Sequence, residues 1–265
     1  MKKYLEAFRL SYKMQITWRF DVAMTMVSTA GQITAAWIIW QVIFAQNTMV
    51  KGFGLGSMLS YYLISSILTS IDFTNQISGE VSELIRGGRF SGHMVIPMNP
   101  LLYFGSKTAG ESAFHLGFCV LAAFVCAVLF QINIATTQDP ARIFLALALI
   151  IIGFFFMACY HYTIGVLAFK FLEIGFFLHV QGSIIAFATG SLVPLSLLPE
   201  NVLHVLRFLP FTHVVFTPAM LLCGLADAGE GFFSLAVISS WALIMFAISQ
   251  YAYRHLRVKY DGVGI

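Results

Sequence analysis

Charged residues are scarce in this sequence. Of its 265 residues, 15 are Lys or Arg and 12 are Asp or Glu, which is 10% of the chain, whereas soluble domains carry roughly 25%. Hydrophobic residues make up 59%, and the mean hydropathy is +0.84. A soluble fold of this length needs a polar surface that such a composition does not supply. The sequence therefore excludes an ordinary soluble protein and predicts a surface that faces lipid.

Motifs of catalysis and cofactor binding are also missing. The phosphate-binding pattern G-x-x-x-x-G-K-[ST] is absent, and residues 105–108 (GSKT) lack both its first glycine and its Gly-Lys step. Ser106, Ser183 and Ser191 follow glycines, which leaves a membrane serine hydrolase as an enzyme alternative, but no G-x-S-x-G motif supports it. His161 and His179 lack metal-ligand spacing. We expect no catalytic residue, no metal site and no cofactor bound by this chain.

Cysteine usage and net charge narrow the class further. The four cysteines lie in apolar stretches without CxxC spacing, which favours a packing role. The net charge is only +3, and the basic residues do not form one patch, so we expect no nucleic-acid partner.

Long stretches without charge indicate membrane spans. Uncharged segments cover residues 22–50, 52–71, 112–138, 143–169, 174–199, 208–226 and 231–253, and a helix needs about 20 apolar residues to cross a bilayer. Prolines interrupt the segment 208–226. The sequence predicts an all-α integral membrane protein with six spans, near 22–44, 56–75, 102–130, 142–169, 176–193 and 231–253.

The distribution of basic residues predicts the orientation. Six spans place both termini on one side, and assigning that side to the cytoplasm leaves only Lys51, Arg142 and Arg207 of the 15 basic residues outside. This asymmetry satisfies the positive-inside rule. The first 20 residues have basic side chains throughout and no short apolar core, so we expect no cleavable signal peptide. The 12 basic residues assigned to the cytoplasmic side are Lys2, Lys3, Arg9, Lys13, Arg19, Arg86, Arg89, Lys107, Lys170, Arg254, Arg257 and Lys259.

Three segments outside the spans have distinctive patterns. Residues 1–20 are amphipathic at helical spacing and predict an interfacial helix, with a solvated basic leader as the alternative. Residues 76–100 combine an apolar face with charged residues and end in Gly87, Gly88 and two prolines, which predicts a short cytosolic helix over 77–86. Residues 194–224 are apolar but interrupted by prolines, which favours two outer half-helices over a continuous span.

These segments carry a resemblance to a known family. The stretch IRGGRFSGHMVIPMNPL at 85–101 and the stretch PLSLLPENVLHVLRFLPFTHVVFTP at 194–218 resemble those of ABC-2 type permeases, especially the small six-span branch, and the similarity covers nearly the whole chain. The resemblance implies one transmembrane domain over residues 1–265. It also implies that 1–20 is a connector helix, 76–100 a coupling loop that docks on an ATPase subunit, and 194–224 an outer re-entrant segment.

Carried over to this sequence, the resemblance implies a docking surface. A solvated amphipathic loop is the alternative for its main part, and a simple charge pair at a helix end is the alternative for Lys170 and Glu173. The implied docking residues are Glu80, Glu83, Arg86, Arg89 and Phe90, with Lys170 and Glu173 as a smaller second contact.

Ionisable residues inside spans are candidates for a substrate path because burying them in lipid is costly. Glu111 and His115 are four residues apart on one helix face; hydrogen bonding to a neighbouring span is the structural alternative and the one we favour. Asp72, near the inner end of the second span, is expected to pair with Arg86, Lys107 or the connector helix.

The sequence thus predicts the permease subunit of an ATP-binding cassette exporter in the bacterial plasma membrane, with both termini cytoplasmic. The implied partners are ATPase subunits, which carry ATP and magnesium, and a second copy or a related permease, with membrane lipids around the dimer. The aromatic residues suit an amphiphilic cargo. The alternative is a secondary transporter or channel without an ATPase, which would favour matching polar halves; the sequence contains no such repeat.

Overall fold

The computed structural model describes residues 2–46, 49–72, 74–171, 174–191 and 193–259. Within these ranges the chain folds into α-helices joined by short turns. The helices are α1 (Lys2–Met14), α2 (Arg19–Phe44), α3 (Leu55–Ser70), α4 (Asn75–Arg86), α5 (Ser91–Val95), α6 (Pro100–Leu129), α7 (Pro140–Val166), α8 (Gly175–Ala188), α9 (Glu200–Leu206), α10 (Phe216–Leu222) and α11 (Ala228–Leu256).

Four of the described helices are long and apolar enough to cross a membrane: Phe20–Phe44, Pro100–Leu129, Pro140–Phe169 and Ala228–Leu256. Three of them start at a side-chain cap. The Asn99 and Asp139 side chains accept hydrogen bonds from the Leu101 and Ala141 amides, each with proline at the first helical position, and Asp227 accepts from the Glu230 amide. Such caps satisfy amides that a helix start leaves without partners.

Two helices are shorter than the predicted spans. The span expected over 56–75 ends as a helix at Ser70, because the Asp72 carboxylate accepts hydrogen bonds from the Thr74 amide and hydroxyl and turns the chain before α4. The span expected over 176–193 ends at Ala188, and Gly190 follows with φ of +76°. With 16 and 14 residues, α3 and α8 fall below the usual length of a span, so the described helices do not confirm six spans.

The proline-rich segment forms a bent pair of helices. The part Glu200–Leu206 meets the part Pro210–Leu222 at 84°, and if this pair counts as one broken span the described residues contain up to five. It packs on the first turns of two long helices, where Arg142 donates to the Gly224 carbonyl at 3.0 Å and Arg207 pairs with Glu230 at 3.4 Å. A short helix begins at Glu200 after Pro199, and its Val202 side chain is exposed.

The charged loop, residues 76–100, lies at the opposite end of the bundle. There, α4 and Phe90 share one hydrophobic core with the start of α6, the end of α7 and the end of α11. The core residues include Ile77, Val81, Leu101, Val166 and Tyr253. The charged loop and the proline-rich pair therefore lie at opposite ends of α7 and α11.

Candidate functional site

The inner face of α4 is fixed to the bundle. Ile77, Val81 and Ile85 recur every four residues and are buried against Tyr162 and Val166 of α7. Burying each such side chain contributes roughly 1.5–3 kcal/mol. The approach is close: a Cβ at Gly165 of α7 would lie 2.8 Å from the Val81 Cβ and 3.1 Å from the Ser78 carbonyl oxygen. Only a glycine in α7 lets α4 sit this near.

The turn after α4 returns the chain to the bundle. Gly88, one residue after the predicted cap Gly87, takes the left-handed conformation with φ of +71°, and the Phe90 amide donates to the Leu84 carbonyl at 2.9 Å. Phe90 is 0% exposed and meets the rings of Phe169 and Tyr253 edge to face, at centroid distances of 5.4 and 6.2 Å. The interpretation of Phe90 as part of a docking surface does not fit this burial, because its ring anchors the loop.

The outer edge of this loop is charged and accessible. Glu83, Arg86 and Arg89 are exposed, as is Lys170 in the turn after α7. The Glu80 side chain forms an ion pair instead, because the Lys107 ammonium of α6 donates to its carboxylate at 2.6 Å. Lys107 was one of the partners expected for Asp72, and it bonds Glu80 instead. Glu173 lies outside the described residues.

His93 of α5 lies between the loop and α6. Its ring is 5.6 Å from those of Phe90 and Tyr103 and 5.4 Å from that of Phe104, measured between centroids. Desolvation by these neighbours lowers the pKa of His93 below its ordinary value, an effect that Glu80 opposes and Lys107 reinforces. The neutral imidazole therefore fits this position better than the imidazolium.

Helix α1 packs on α6 beside this loop. A Cβ at Gly110 would overlap the Phe8 carbonyl oxygen and lie 3.1 Å from the Tyr12 nitrogen, so the two backbones are in close contact. The Asn99 amide donates to the Tyr4 hydroxyl at 3.1 Å, and the Lys3 ammonium bonds the Pro97 carbonyl. Thus α1 holds both α6 and the end of the charged loop.

Glu111 and His115 lie one helical turn apart on α6, and both are buried. His115 Nδ1 donates to the Glu111 backbone carbonyl at 3.0 Å. His115 is 1% exposed and lines a crevice of about 420 Å³ with Gln15, Asp21 and Gln76. The crevice lies between the segment after α1, the start of α2 and α4.

Asp72 lines a different cavity. This cavity, of about 170 Å³, lies between the end of α3, α7, α8 and the turn before α10, and His161 of α7 lines it as well. No pattern in the sequence groups these two residues, because they lie 89 positions apart. The available signal was His161 itself, a histidine in a stretch without charged residues. We had considered it only as a metal ligand, and metal-ligand spacing does not identify a residue that lines a cavity.

Comparison with known proteins decides the family. A family described as ABC-2 family transporter protein has a model that matches residues 30–264, nearly the whole chain. The chain belongs to the ABC-2 transporter family. It matches no curated protein and no solved structure.

Membership in the ABC-2 family gives the geometry a context. ABC-2 permeases are normally non-enzymatic transport subunits, and they typically pair with ABC ATPase subunits. With several helices apolar and long enough to span, this ABC-2 protein is a multi-pass membrane protein.

Proposed function

We propose that this chain is the permease subunit of an ABC exporter and that an ATPase docks on the outer edge of α4. The observation that carries the proposal is the division of α4 into two faces. Its inner face is buried on α7 next to Gly165, while Glu83 and Arg86, with Arg89 beyond the turn, remain exposed. A helix fixed on one side and charged on the other suits a partner that must push on it.

The contacts of α4 and Phe90 connect the proposed docking surface to the long helices. Force on α4 reaches α7 through the Val81–Gly165 contact and α6 through the Glu80–Lys107 ion pair. Phe90 connects the same loop to Tyr253 at the end of α11. ATP-driven closure of two ATPases would thus tilt three long helices together and alternate access to the two sides of the membrane.

The same proposal includes the topology. We infer six spans, α2, α3, α6, α7, α8 and α11, with both termini in the cytoplasm of a cell whose plasma membrane holds the protein. At 1.5 Å per residue, α3 and α8 reach only about 24 and 21 Å, and local thinning of the bilayer accommodates short spans at modest cost. The position of α4 and the end of α11 at one end of the bundle supports this assignment.

The functional unit is a dimer with a second copy or a related permease, and ATP and magnesium bind the ATPase subunits. Export as the direction of transport, like the dimer, has its support in the family resemblance. Glu83, Arg86, Arg89 and Lys170 remain the proposed coupling residues.

Co-purification tests the proposal. The tagged chain is expressed with the ATPase encoded nearest to it, and the ATPase that remains bound after affinity purification is measured. We expect the double reversal Glu83→Lys/Arg86→Glu to reduce the bound ATPase at least about tenfold, because it places like charges against the partner. The matched reversal Lys51→Glu/Glu200→Lys, in exposed residues at the other end, should leave binding unchanged. Transport that persists without any bound ATPase would favour the secondary transporter.

A further inference from the structure

The cavity beside Asp72 contains an acidic residue without a basic partner. Among the described residues that line it, Asp72 supplies a carboxylate and none is Lys or Arg. One Asp72 oxygen accepts hydrogen bonds from the Thr74 amide at 3.0 Å and hydroxyl at 2.6 Å. An ionised carboxylate among apolar helices is costly without a cation, so a cation bound beside Asp72 would favour its charged form.

The same cavity contains polar groups without partners. His161 is 3% exposed, and its Nδ1 has no hydrogen-bond partner among the described residues. The buried Thr69 hydroxyl oxygen, which also lines the cavity, likewise has no hydrogen-bond partner among the described residues. Buried polar atoms in folded proteins are nearly always hydrogen-bonded, to protein or to another molecule, so these two atoms are available to bond a ligand in the cavity.

Apolar side chains complete the wall. Met157, Ile185 and Val214 line the cavity together with the polar residues Asn75, Thr189 and Ser191. Its volume of about 170 Å³ holds a small head group with its nearest carbon atoms, but not a whole lipid. A pocket with one carboxyl group, several hydrogen-bonding groups and apolar side chains suits an organic cation.

We propose that this cavity binds the cationic head group of the transported substrate, a protonated amine. Asp72 provides the countercharge, the His161 ring nitrogen and the Thr69 hydroxyl oxygen accept hydrogen bonds from the ammonium N–H groups, and the apolar side chains contact its carbon substituents. This inference rests on the proposed transport function. It narrows the amphiphilic cargo suggested by the composition to one that is positively charged.

The test uses the full chain, purified alone in a neutral maltoside detergent. Benzylammonium is titrated by calorimetry at neutral pH, with benzenesulfonate as the anionic counterpart of similar size. We expect the cation to bind and the anion not to bind. Asp72→Asn should weaken cation binding at least about tenfold, because it removes the charge but keeps an oxygen for Thr74.

Two further variants guard against misfolding. Ala186→Leu fills the cavity without changing any charge and should also abolish binding, whereas Glu230→Gln, in the carboxylate at the outer end, should have no effect. Absence of cation binding to the natural chain, equal binding of the sulfonate, or unchanged affinity in both cavity variants would overturn the proposal. Because no ATPase is present, these results are independent of the co-purification experiment.

Discussion

At the scale of single residues, Phe90 and Arg89 are neighbours with opposite roles. The Phe90 side chain is fully buried and the Arg89 side chain is exposed. We expect Phe90→Ala to lower the free energy of unfolding by about 3–5 kcal/mol, because it leaves a cavity under the loop. Arg89→Ala should change stability by no more than about 0.5 kcal/mol while weakening ATPase binding.

Denaturation in detergent, followed by intrinsic fluorescence, measures both variants. If Phe90→Ala is as stable as the natural chain, Phe90 does not anchor the loop. The sequence placed Phe90 on the docking surface because its pattern of charged and aromatic residues cannot tell which of them turn back onto the bundle.

His93 makes the stability of the loop depend on pH. Since desolvation lowers its pKa in the folded protein, the unfolded chain binds a proton at higher pH than the folded chain does. The stabilisation is therefore complete above the unfolded pKa of about 6.5 and is lost as the pH falls below it. We expect the melting temperature to drop between pH 7.5 and 5.5, and to drop less in His93→Phe, which stays neutral; an equal drop in both proteins would show that His93 is not responsible.

At the scale of elements, two glycines set the distance at which α1 and α4 pack on the long helices. Gly110 brings the backbone of α6 against that of α1, and Gly165 brings α7 against α4. Neither has a positive φ; each is required by the space that a Cβ would occupy.

The packing of α1 on α6 can be tested with two substitutions in α6. Gly110→Ala should displace α1 and increase trypsin cleavage at Arg9 and Lys13, because the added Cβ meets backbone atoms that cannot move away. Gly117→Ala is the matched control, since no atom outside the α6 backbone lies within 4 Å of the Cβ it adds. Limited proteolysis followed by mass spectrometry measures the cleavage, and similar patterns in both variants would contradict the close packing.

Several elements could be predicted from the sequence, for identifiable reasons. Long charge-free stretches located α6, α7 and α11 because hydropathy and capping residues act locally. The amphipathic pattern of 77–86 located α4 for the same reason. The early ends of α3 and α8 were missed: the Asp72–Thr74 turn and the positive φ of Gly190 depend on particular local hydrogen bonds and backbone angles, not on hydropathy.

The contacts between distant segments could not be predicted. Glu80 and Lys107 are 27 residues apart and Asp72 and His161 are 89 apart, so periodicity says nothing about either pair. Only the fold brings Asp72 and His161 to one cavity, and it separates Asp72 from Glu111 and His115, with which it had been grouped.

At the scale of the whole molecule, the two ends of the bundle have different chemistry. One end carries α1, the exposed charges of α4 and the C-terminal part of α11, while the other carries the bent pair held by Arg142 and Arg207. The polar cavity of Asp72 opens between them. This arrangement joins a proposed docking surface, a proposed binding cavity and the bent pair of helices in one chain.

Site-specific cross-linking tests the central claim, that the exposed edge of α4 is the ATPase docking surface. The four natural cysteines are buried, so a photoreactive maleimide can be attached to a single new cysteine at Glu83→Cys or, as control, at Glu200→Cys. After illumination in membranes that contain the ATPase, we expect a cross-linked product from Glu83→Cys and none from Glu200→Cys. Cross-linking at neither position, or only at Glu200→Cys, would contradict it.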